Sequence, residues 1–525
     1  MNALAAAALG VLIMSDAPAG VSQQTSEPAK PRASPASPGV LLVEEGVALL
    51  RAKRTEEATA RFEAAVQKDP RLPEAHYYLG MVRERVPDLA AAAAEYRQAL
   101  ALAPSMAEAH DRLGFVLGEQ GHTDEAIAEF EQAVRLQPTL FDAQYHLGAT
   151  RWWTKRPDLA QPALAAAIKL NPAHPEAHYY LGLTLRQLGN LDGAITELRE
   201  ALRLNPRFEQ AHAYLGVALR ETGDLDAAVV SLNEALGINP ADADAANTLG
   251  LVYMQRGDAD AAVAAFRALV ERSPDNGVAR HNLGTALMQK GDLQAAVAEY
   301  RTLVAAEPGN AEAFYNLGTA LKQQDDFAGA EQALREAVRL EPDLPEAHFT
   351  LGVVFWQTRR PEEAAAQFKA ALARKPTYAE AHYMLGTVLR QMGQHEQAMA
   401  EFRATLAADP ESAEAWLSIG QLLQREHDTS GSAQAFAEAD RLRKKKADAQ
   451  AAMFAVSTGM QKLAAGDVAA AITSLRDAVR LAPDNAQAHF QLARALERTG
   501  NAAEAREQYD EARRLAPGLV PPHAR

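Results

Sequence analysis

Histidine is the residue type whose placement in this sequence first suggests chemistry. Imidazole nitrogens bind metal ions and transfer protons near neutral pH. Half of the histidines occupy one position of a recurring pattern: His76, His110, His178, His212, His348, His382 and His489. If each lies on a separate packed helix, neighbouring imidazoles are about 8–10 Å apart, too far for two of them to bind one zinc ion at about 2 Å each. We therefore predict that these histidines pack within the fold, and we expect no metal and no cofactor.

Carboxylates form a second recurring set: Glu74, Glu108, Asp142, Glu176, Asp244, Glu312, Glu346, Glu380 and Glu414. Each is expected in the first turn of a helix, where negative charge is stabilising; an acidic strip for a basic partner is the alternative. No pair of carboxylates has the pattern of a catalytic acid and base. The sequence also has no cysteine and no glycine-rich phosphate-binding loop. We predict that the chain is not an enzyme.

Proline marks the elements that must position these residues. Eleven prolines follow one another at a constant step of 34 residues: Pro70, Pro104, Pro138, Pro172, Pro206, Pro240, Pro274, Pro308, Pro342, Pro376 and Pro410. Leu-Gly pairs keep the same step from Leu79 to Gly386. A fixed period of this length indicates one supersecondary unit repeated along the chain.

The stretch from Pro172 to Pro206 illustrates one unit. Pro175 suits the first position of a helix, apolar residues then recur at helical spacing, and Gly189 suits a left-handed helix end. A second amphipathic run covers residues 191–204. Such a helical hairpin buries its apolar stripe only against neighbouring copies. We therefore predict an all-α fold, an α-solenoid of stacked antiparallel helix pairs.

This pattern resembles the tetratricopeptide repeat. The resemblance rests on Leu181, Gly182, Leu185, Ala194, Leu198, Ala201 and Pro206, with His178 where the family often has Trp. About fourteen such units cover roughly nine-tenths of the chain. The resemblance implies a right-handed superhelix whose first helices line a concave groove, and it implies a binding scaffold rather than one particular activity.

The units divide into two groups. Twelve in-phase units are predicted over residues 39–446, a phase-shifting insertion over 447–451 within a long helix, two further units over 452–519, and a short tail over 520–525. Asp440 stands where eleven units have an aliphatic residue, so we expect a solvated seam near residues 440–451. The basic run from Arg441 to Lys446 is predicted to be a solvated helix face. Arg506 and Arg513 indicate a polar cap on the last unit; self-association through the array ends is the alternative.

The N-terminal residues resemble an export signal. An apolar run from Leu4 to Met14 precedes Ala17-Pro18-Ala19, a small-residue cleavage pattern, although no Lys or Arg comes before the run. We predict a signal peptide over residues 1–19 and a disordered linker rich in Pro and Ser over 20–38. The run is too short to span a bilayer. A periplasmic or extracellular protein is expected, with a cytoplasmic protein as the alternative.

The resemblance also places residues in the implied groove, where aromatic and Arg side chains are common anchors. The aromatic candidates are Tyr77, Tyr145, Tyr179, Tyr315, Phe349 and Tyr383, together with Trp152, Trp153 and Trp356. The polar candidates are Arg186, Gln187, Arg220, Lys322, Gln323, Arg390 and Gln391. Two alternatives remain open: the tyrosine rings pack against the next helix, and Trp152 fills the space beside Arg151.

These observations predict a non-enzymatic scaffold that binds extended peptides or helices of partner proteins. The net charge of −15 argues against nucleic acid as a partner. Asn282 and Asn316 resemble the asparagine row of protein O-linked N-acetylglucosamine transferases, so one alternative is a substrate-recruiting partner of such an enzyme acting in trans. A structural spacer in an envelope assembly is the other.

Overall fold

The computed structural model describes residues 37–86 and 88–518. This part of the chain contains 27 α-helices and no β-strand, and consecutive helices pack in pairs. The prediction of an all-α solenoid of helix pairs is confirmed. The predicted signal peptide, nearly all of the predicted linker and the short C-terminal tail lie outside the described residues.

The chain divides after Lys290 into two compact units. The described helices of the first unit are α1 (Pro38–Arg51), α2 (Thr55–Lys68), α3 (Pro73–Arg85), α4 (Leu89–Leu102), α5 (Ala107–Glu119), α6 (Thr123–Leu136), α7 (Phe141–Trp153), α8 (Pro157–Leu170), α9 (Pro175–Gln187), α10 (Leu191–Leu204), α11 (Glu209–Thr222), α12 (Leu225–Ile238), α13 (Ala243–Arg256), α14 (Ala259–Arg272) and α15 (Gly277–Lys290).

The described helices of the second unit are α16 (Leu293–Ala306), α17 (Ala311–Gln323), α18 (Phe327–Leu340), α19 (Pro345–Gln357), α20 (Pro361–Arg374), α21 (Ala379–Gln391), α22 (His395–Ala408), α23 (Ala413–Arg425), α24 (Thr429–Ala464), α25 (Val468–Leu481), α26 (Ala486–Arg498) and α27 (Ala502–Leu515). None of the described helices has both the length and the apolar composition that crossing a bilayer requires.

In many of the described pairs, a glycine and a capping side chain define the turn between the two helices. Between α9 and α10, Gly189 adopts a φ of 79°, which glycine reaches without a steric penalty. The side chain of Asn190 then accepts a hydrogen bond of 3.0 Å from the backbone N–H of Gly193. This bond satisfies one of the free N–H groups at the start of α10.

Close approach of the two helices explains the repeated Leu-Gly pair. A Cβ atom on Gly182 would lie 2.8 Å from Cγ of Leu198, which fills the space in front of it. The alanines that flank this contact, such as Ala177 and Ala194, have no exposed surface. The small residues therefore set the helix separation, and the bulky residue of the second helix occupies the gap between them.

The recurring histidines connect three segments of the fold. Nδ1 of His178 lies 2.7 Å from Oε2 of Glu197 on α10, and Nε2 lies 3.1 Å from the carbonyl oxygen of Pro172 in the preceding turn. Both partners are acceptors, so the imidazole uses both bonds only when both nitrogens carry a proton. Burial lowers the pKa of His178, but Glu197 and the carbonyl outweigh it and the pKa is raised. In the described residues no group of His, Asp and Glu side chains could hold a metal ion.

Within each unit, the first helices of neighbouring pairs contact one another. In the first unit α7 contacts α9, α9 contacts α11 and α11 contacts α13. The second helices of neighbouring pairs have no extensive contact of this kind in the described chain. The first helices therefore lie side by side and form a continuous face, which we call the inner face.

The helix α24 differs from all others because it runs for 36 residues without a turn. Its first half serves as the second helix of one pair, against α23, and its second half serves as the first helix of the next, against α25. Residues 447–451 are helical. Asp440 is solvent-exposed and lies 3.7 Å from a nitrogen of Arg443.

Candidate functional site

Two tyrosines of the predicted aromatic row in the first unit are part of the core. Tyr145 and Tyr179 are 4% and 9% exposed. The Tyr145 ring lies 4.9 Å from the His174 ring, and the Tyr179 ring lies 4.9 Å from that of Phe208. Burial raises the pKa of Tyr179 well above its usual range. These two rings therefore build the wall of the inner face and offer little surface to a ligand.

The remaining predicted residues of the first unit are more accessible. Tyr77 is half-buried, 5.9 Å from the ring of Tyr96. Trp152 is half-buried against Tyr180, at 5.5 Å between ring centroids, and its Nε1 is buried and has no hydrogen-bond partner among the described residues. Trp153 is exposed and packs edge-on against Trp152.

The polar candidates of the first unit lie at the C-terminal ends of α9 and α11. A guanidinium nitrogen of Arg186 lies 2.8 Å from Glu221, and the same group sits above the ring of Tyr214. Gln187 is exposed and Arg220 is half-buried. Arg186 is thus committed to a neighbouring repeat, whereas Gln187 is free to meet a ligand.

In the second unit the predicted aromatic residues are all partly exposed. Tyr315, Phe349 and Tyr383 are half-buried. Phe349 lies 5.0 Å from the ring of Tyr378, and Tyr383 lies 5.8 Å from that of Phe402. Because these rings keep part of their surface in solvent, this part of the aromatic row remains available for contact.

The other candidates of the second unit lie at the ends of α17, α19 and α21. Trp356, Gln323 and Gln391 are exposed, and burial lowers the pKa of Lys322. Nη1 of Arg390 donates a 2.5 Å hydrogen bond to Oε1 of Gln421. A polar pocket of about 410 Å³, lined by Thr387, Arg390, Gln391, Gln421, Leu422 and Arg425, opens beside this bond.

A larger pocket, of about 510 Å³, opens on the inner face of α11 and α13 in the first unit. Ala213 occupies the position that Tyr179 and Tyr145 hold one and two repeats earlier, so the ring that fills the wall in those two repeats is replaced by a methyl group. Its lining includes Glu209, Ala213, Tyr214, Val217, Asp242 and Asp244. The pocket therefore combines one aromatic ring and aliphatic surface with three carboxyl groups.

The carboxyl groups of this pocket have no basic partner. Glu209, Asp242 and Asp244 take part in no ion pair within the described residues. Asp242 caps α13 by accepting hydrogen bonds from the N–H groups of Asp244 and Ala245. Burial, a hydrogen bond with Asp242 and the charge of that carboxylate raise the pKa of Glu209 to about 7. Glu209 therefore gains or loses its proton near neutral pH, and an incoming cation favours its charged form.

This pocket lies outside the set of residues predicted from the sequence. Of its lining, only Asp244 belongs to a predicted set, the carboxylates in the first turns of helices; Glu209 and Ala213 belong to none. The signal in the sequence is a double departure from the preceding repeats, because Glu209 stands where most units have Pro or Ala, and Ala213 follows Tyr145 and Tyr179 at the same repeat position. Either change alone is unremarkable; together they open a space and give it charge.

Comparison with protein families agrees with the repeat geometry. A tetratricopeptide repeat model matches residues 43–107, 154–207, 185–243 and 458–520, and a second one matches residues 107–140. The chain is a tetratricopeptide repeat protein. In this tetratricopeptide repeat protein, residues 241–454 also match the C-terminal domain of cilia and flagella-associated protein 70. The repeat family is generally a non-catalytic scaffold fold that supports protein–protein interaction.

Solved structures are similar to this tetratricopeptide repeat protein over different shares of its length. YrrB, described as a TPR protein with an unusual peptide-binding site, is 28% identical, covers 35% of this chain and 95% of its own, and has a TM-score of 0.33. PilF of Pseudomonas aeruginosa is 25% identical over 38% and 91%, with a TM-score of 0.35. The Naa15/Naa10 complex bound to HypK-THB is 15% identical over 92% and 94%, with a TM-score of 0.31. No curated protein matches the chain.

Proposed function

We propose that this chain is a non-enzymatic adaptor that holds an extended peptide on the inner face of its first unit and anchors a Lys or Arg side chain of that peptide. The pocket at Glu209, Ala213 and Asp242 carries the proposal. Its volume of about 510 Å³ accommodates a long side chain, and its carboxyl groups would pair with the charged end.

The chemistry of the walls suits this ligand. The aliphatic stem of a Lys or Arg side chain packs against apolar surface while its charged end stays polar, and Val217 and Ala213 supply such surface. Tyr214, whose ring already carries the Arg186 guanidinium on one side, adds aromatic surface to the pocket wall. Two exposed side chains lie further along the inner face, Gln187 at the end of the adjacent helix α9 and Trp153 at the end of α7, and they would contact the flanking peptide.

Peptide binding tests the proposal directly. Two fluorescein-labelled nonapeptides of Gly, Ser and Ala would be compared, one with a central Lys and one with a central norleucine. A charge-assisted hydrogen bond contributes about 1.5–3 kcal/mol, so we expect the Lys peptide to bind about tenfold to a hundredfold more tightly in fluorescence anisotropy. Glu209→Gln, which keeps the shape and removes the charge, should abolish most of that difference.

A variant that fills the pocket with a larger side chain tests whether the peptide needs this space. Ala213→Tyr introduces the residue of Tyr145 and Tyr179 and should remove the preference for Lys. Val230→Tyr adds the same ring at an exposed site of α12 and should leave binding unchanged. Equal affinity for the two peptides, or a Lys preference that survives Ala213→Tyr, would reject the pocket as the anchor.

The raised pKa of Glu209 gives a pH dependence with a defined sign. Glu209 becomes a carboxylate as the pH rises through about 7, so the Lys peptide should bind more tightly at pH 8 than at pH 6. The norleucine peptide and the Glu209→Gln variant should show no such rise. A Lys affinity that is constant over this range would contradict the role of Glu209.

Export is also proposed, from residues 1–19 alone, and N-terminal sequencing of the mature protein would test it.

No observation on the inner face favours a recruiting role beside a glycosyltransferase: Asn282 donates a 2.8 Å hydrogen bond to Asn247 of the preceding repeat and is engaged there. An envelope spacer would show neither the Lys preference nor its pH dependence.

A further inference from the structure

At one position of the repeat, the residue type and its exposure depend on whether the preceding repeat packs against it. In twelve repeats this position is an alanine with 0–2% exposure: Ala75, Ala109, Ala143, Ala177, Ala211, Ala245, Ala279, Ala313, Ala347, Ala381, Ala415 and Ala488. In the repeat that begins within α24 the same position is Phe454, which is 76% exposed. Leu41 holds it in the first repeat and is also exposed.

The exposure of Phe454 has a clear cause. Elsewhere the second helix of the preceding pair turns back and packs on this surface. At α24 the preceding helix continues straight into the next one, so no helix returns to cover the surface. The second half of α24 therefore presents a face that is built to receive a helix and has none in the described chain.

This face is apolar, and we call it the seam patch: Met453, Phe454 and Met460. Met453 and Phe454 have the largest exposed fractions among the exposed large hydrophobic residues of the described chain, at 67% and 76%. Met460 follows Met453 by seven residues, two helical turns, and so shares its side of the helix. Flexible methionine side chains adapt to different helix surfaces, and an apolar cluster that remains in solvent marks a contact site.

The charge around the seam patch is opposite to that of the chain. Helix α24 carries six basic and three acidic residues, a net charge of +3, in a chain of net charge −15. Arg441, Arg443 and Lys445 pair with carboxylates, whereas Lys444 and Lys446 take part in no ion pair within the described residues. Lys446 precedes Met453 by two turns and lies on the same side, about 10 Å along the axis.

We propose that the seam patch docks an amphipathic helix of a partner protein whose apolar stripe is flanked by carboxylates. The apolar stripe covers Phe454 and Met453 as a preceding repeat covers alanine elsewhere. A carboxylate beside that stripe pairs with Lys446, which lies on the same side of α24 as Met453. The surface is distinct from the inner-face pocket of the first unit, and the proposal does not depend on that pocket.

Model helices test the proposal with the full-length protein. The probe is a stapled, fluorescein-labelled helix with a Leu stripe flanked by Glu; a second peptide has Lys in place of Glu, and a third has the composition of the first in scrambled order. We expect the acidic amphipathic helix to bind at least tenfold more tightly than either of the others. Equal binding of the scrambled peptide would indicate charge attraction alone and would overturn the proposal.

Variants then locate the binding surface. Phe454→Ala restores the residue of the other repeats and should weaken binding of the acidic helix at least tenfold, and Lys446→Glu should do the same. Val230→Ala, at another exposed apolar residue, should have no effect. Because the chain has no cysteine, a dye on Ser457→Cys should respond to the acidic helix only. Binding that survives Phe454→Ala would place the helix elsewhere.

Two further measurements separate the other occupants. Light scattering after size exclusion, at about 1–100 μM, should show a monomer; a dimer that Phe454→Ala dissociates would assign the patch to a second copy. Vesicles with one-third phosphatidylserine should not bind. Vesicle binding that is lost in Phe454→Ala, without binding of the acidic helix, would assign it to a membrane surface. Either result would overturn the proposal.

Discussion

The boundary between α8 and α9 and the middle of α24 are two versions of the same junction. At the first, the chain turns after Pro172, His178 bonds to the carbonyl of that proline, and Ala177 is fully covered. At the second there is no proline and no turn, Ala455 stands in the histidine slot, and Phe454 faces solvent. The proline and the covered alanine change together, because each depends on the preceding segment folding back.

The comparison shows how the stacking of repeats is controlled. Stacking requires a turn that returns the chain and a residue small enough to let the next helix approach. Where both are present, the apolar stripes of two repeats bury each other. Where both are absent, the same stripe stays in solvent and becomes available to another molecule.

The largest expected effect comes from placing phenylalanine, the residue found at position 454, at the equivalent position 177 of a regular junction. Ala177→Phe places a ring where no surface is exposed, so the repeats must separate or distort. We expect a loss of about 3 kcal/mol in the free energy of unfolding, the upper end for overpacking, measured by urea unfolding with circular dichroism. The mirror change, Phe454→Ala, should alter stability by less than about 0.5 kcal/mol. A similar loss in both variants would invalidate the comparison.

A second change tests the close approach inside one pair. Gly182→Ala places a methyl group 2.8 Å from Leu198, and we expect it to destabilise the protein by about 1–2 kcal/mol. Gly237 also lies within a helix, but nothing lies within 4 Å of the position of its Cβ. Gly237→Ala should therefore stabilise the protein by about 0.5–1 kcal/mol through helix propensity. Urea unfolding should therefore show a lower midpoint than the wild type for Gly182→Ala and a higher midpoint for Gly237→Ala.

The smallest effect concerns the histidine slot and depends on pH. The pKa of His178 is raised in the folded state, so its stabilising contribution is fully present below the unfolded pKa of about 6.5 and is lost as the pH rises through the folded pKa. The free energy of unfolding should therefore be higher at pH 6 than at pH 8.5. His178→Gln should reduce this pH dependence, yet keep the bond to the turn, as Gln144 does with the carbonyl of Pro138 at 3.1 Å.

The matching control for His178 is Ala455, which holds the same repeat position within α24. His178→Ala should cost about 1 kcal/mol through the lost hydrogen bonds. Ala455→His should gain nothing, because no proline carbonyl precedes it. A stabilising Ala455→His variant would show that the imidazole acts through local helix contacts instead.

Much of the fold could be predicted because each repeat contains the residues that define its own helices and turns. Pro175, Gly189 and Asn190 define helix ends through local backbone geometry, and the pairing of Gly182 with Leu198 recurs at one spacing. The candidate site was harder to predict. A register argument places Tyr145 and Tyr179 on the inner face, but whether a ring lies on the surface or within the wall depends on the neighbouring repeat.

The sequence by itself determined the period, the helix pairs, the helix ends and the place where the phase changes, because these follow from interactions between residues close in the chain. The tertiary structure decided which side chains remain in solvent. Ala213 opens a pocket only because Tyr214, Glu209 and Asp242 surround it, and Phe454 is exposed only because α24 does not turn. Both outcomes depend on what packs against a residue from a neighbouring helix, and the order of residues along one helix does not contain that information.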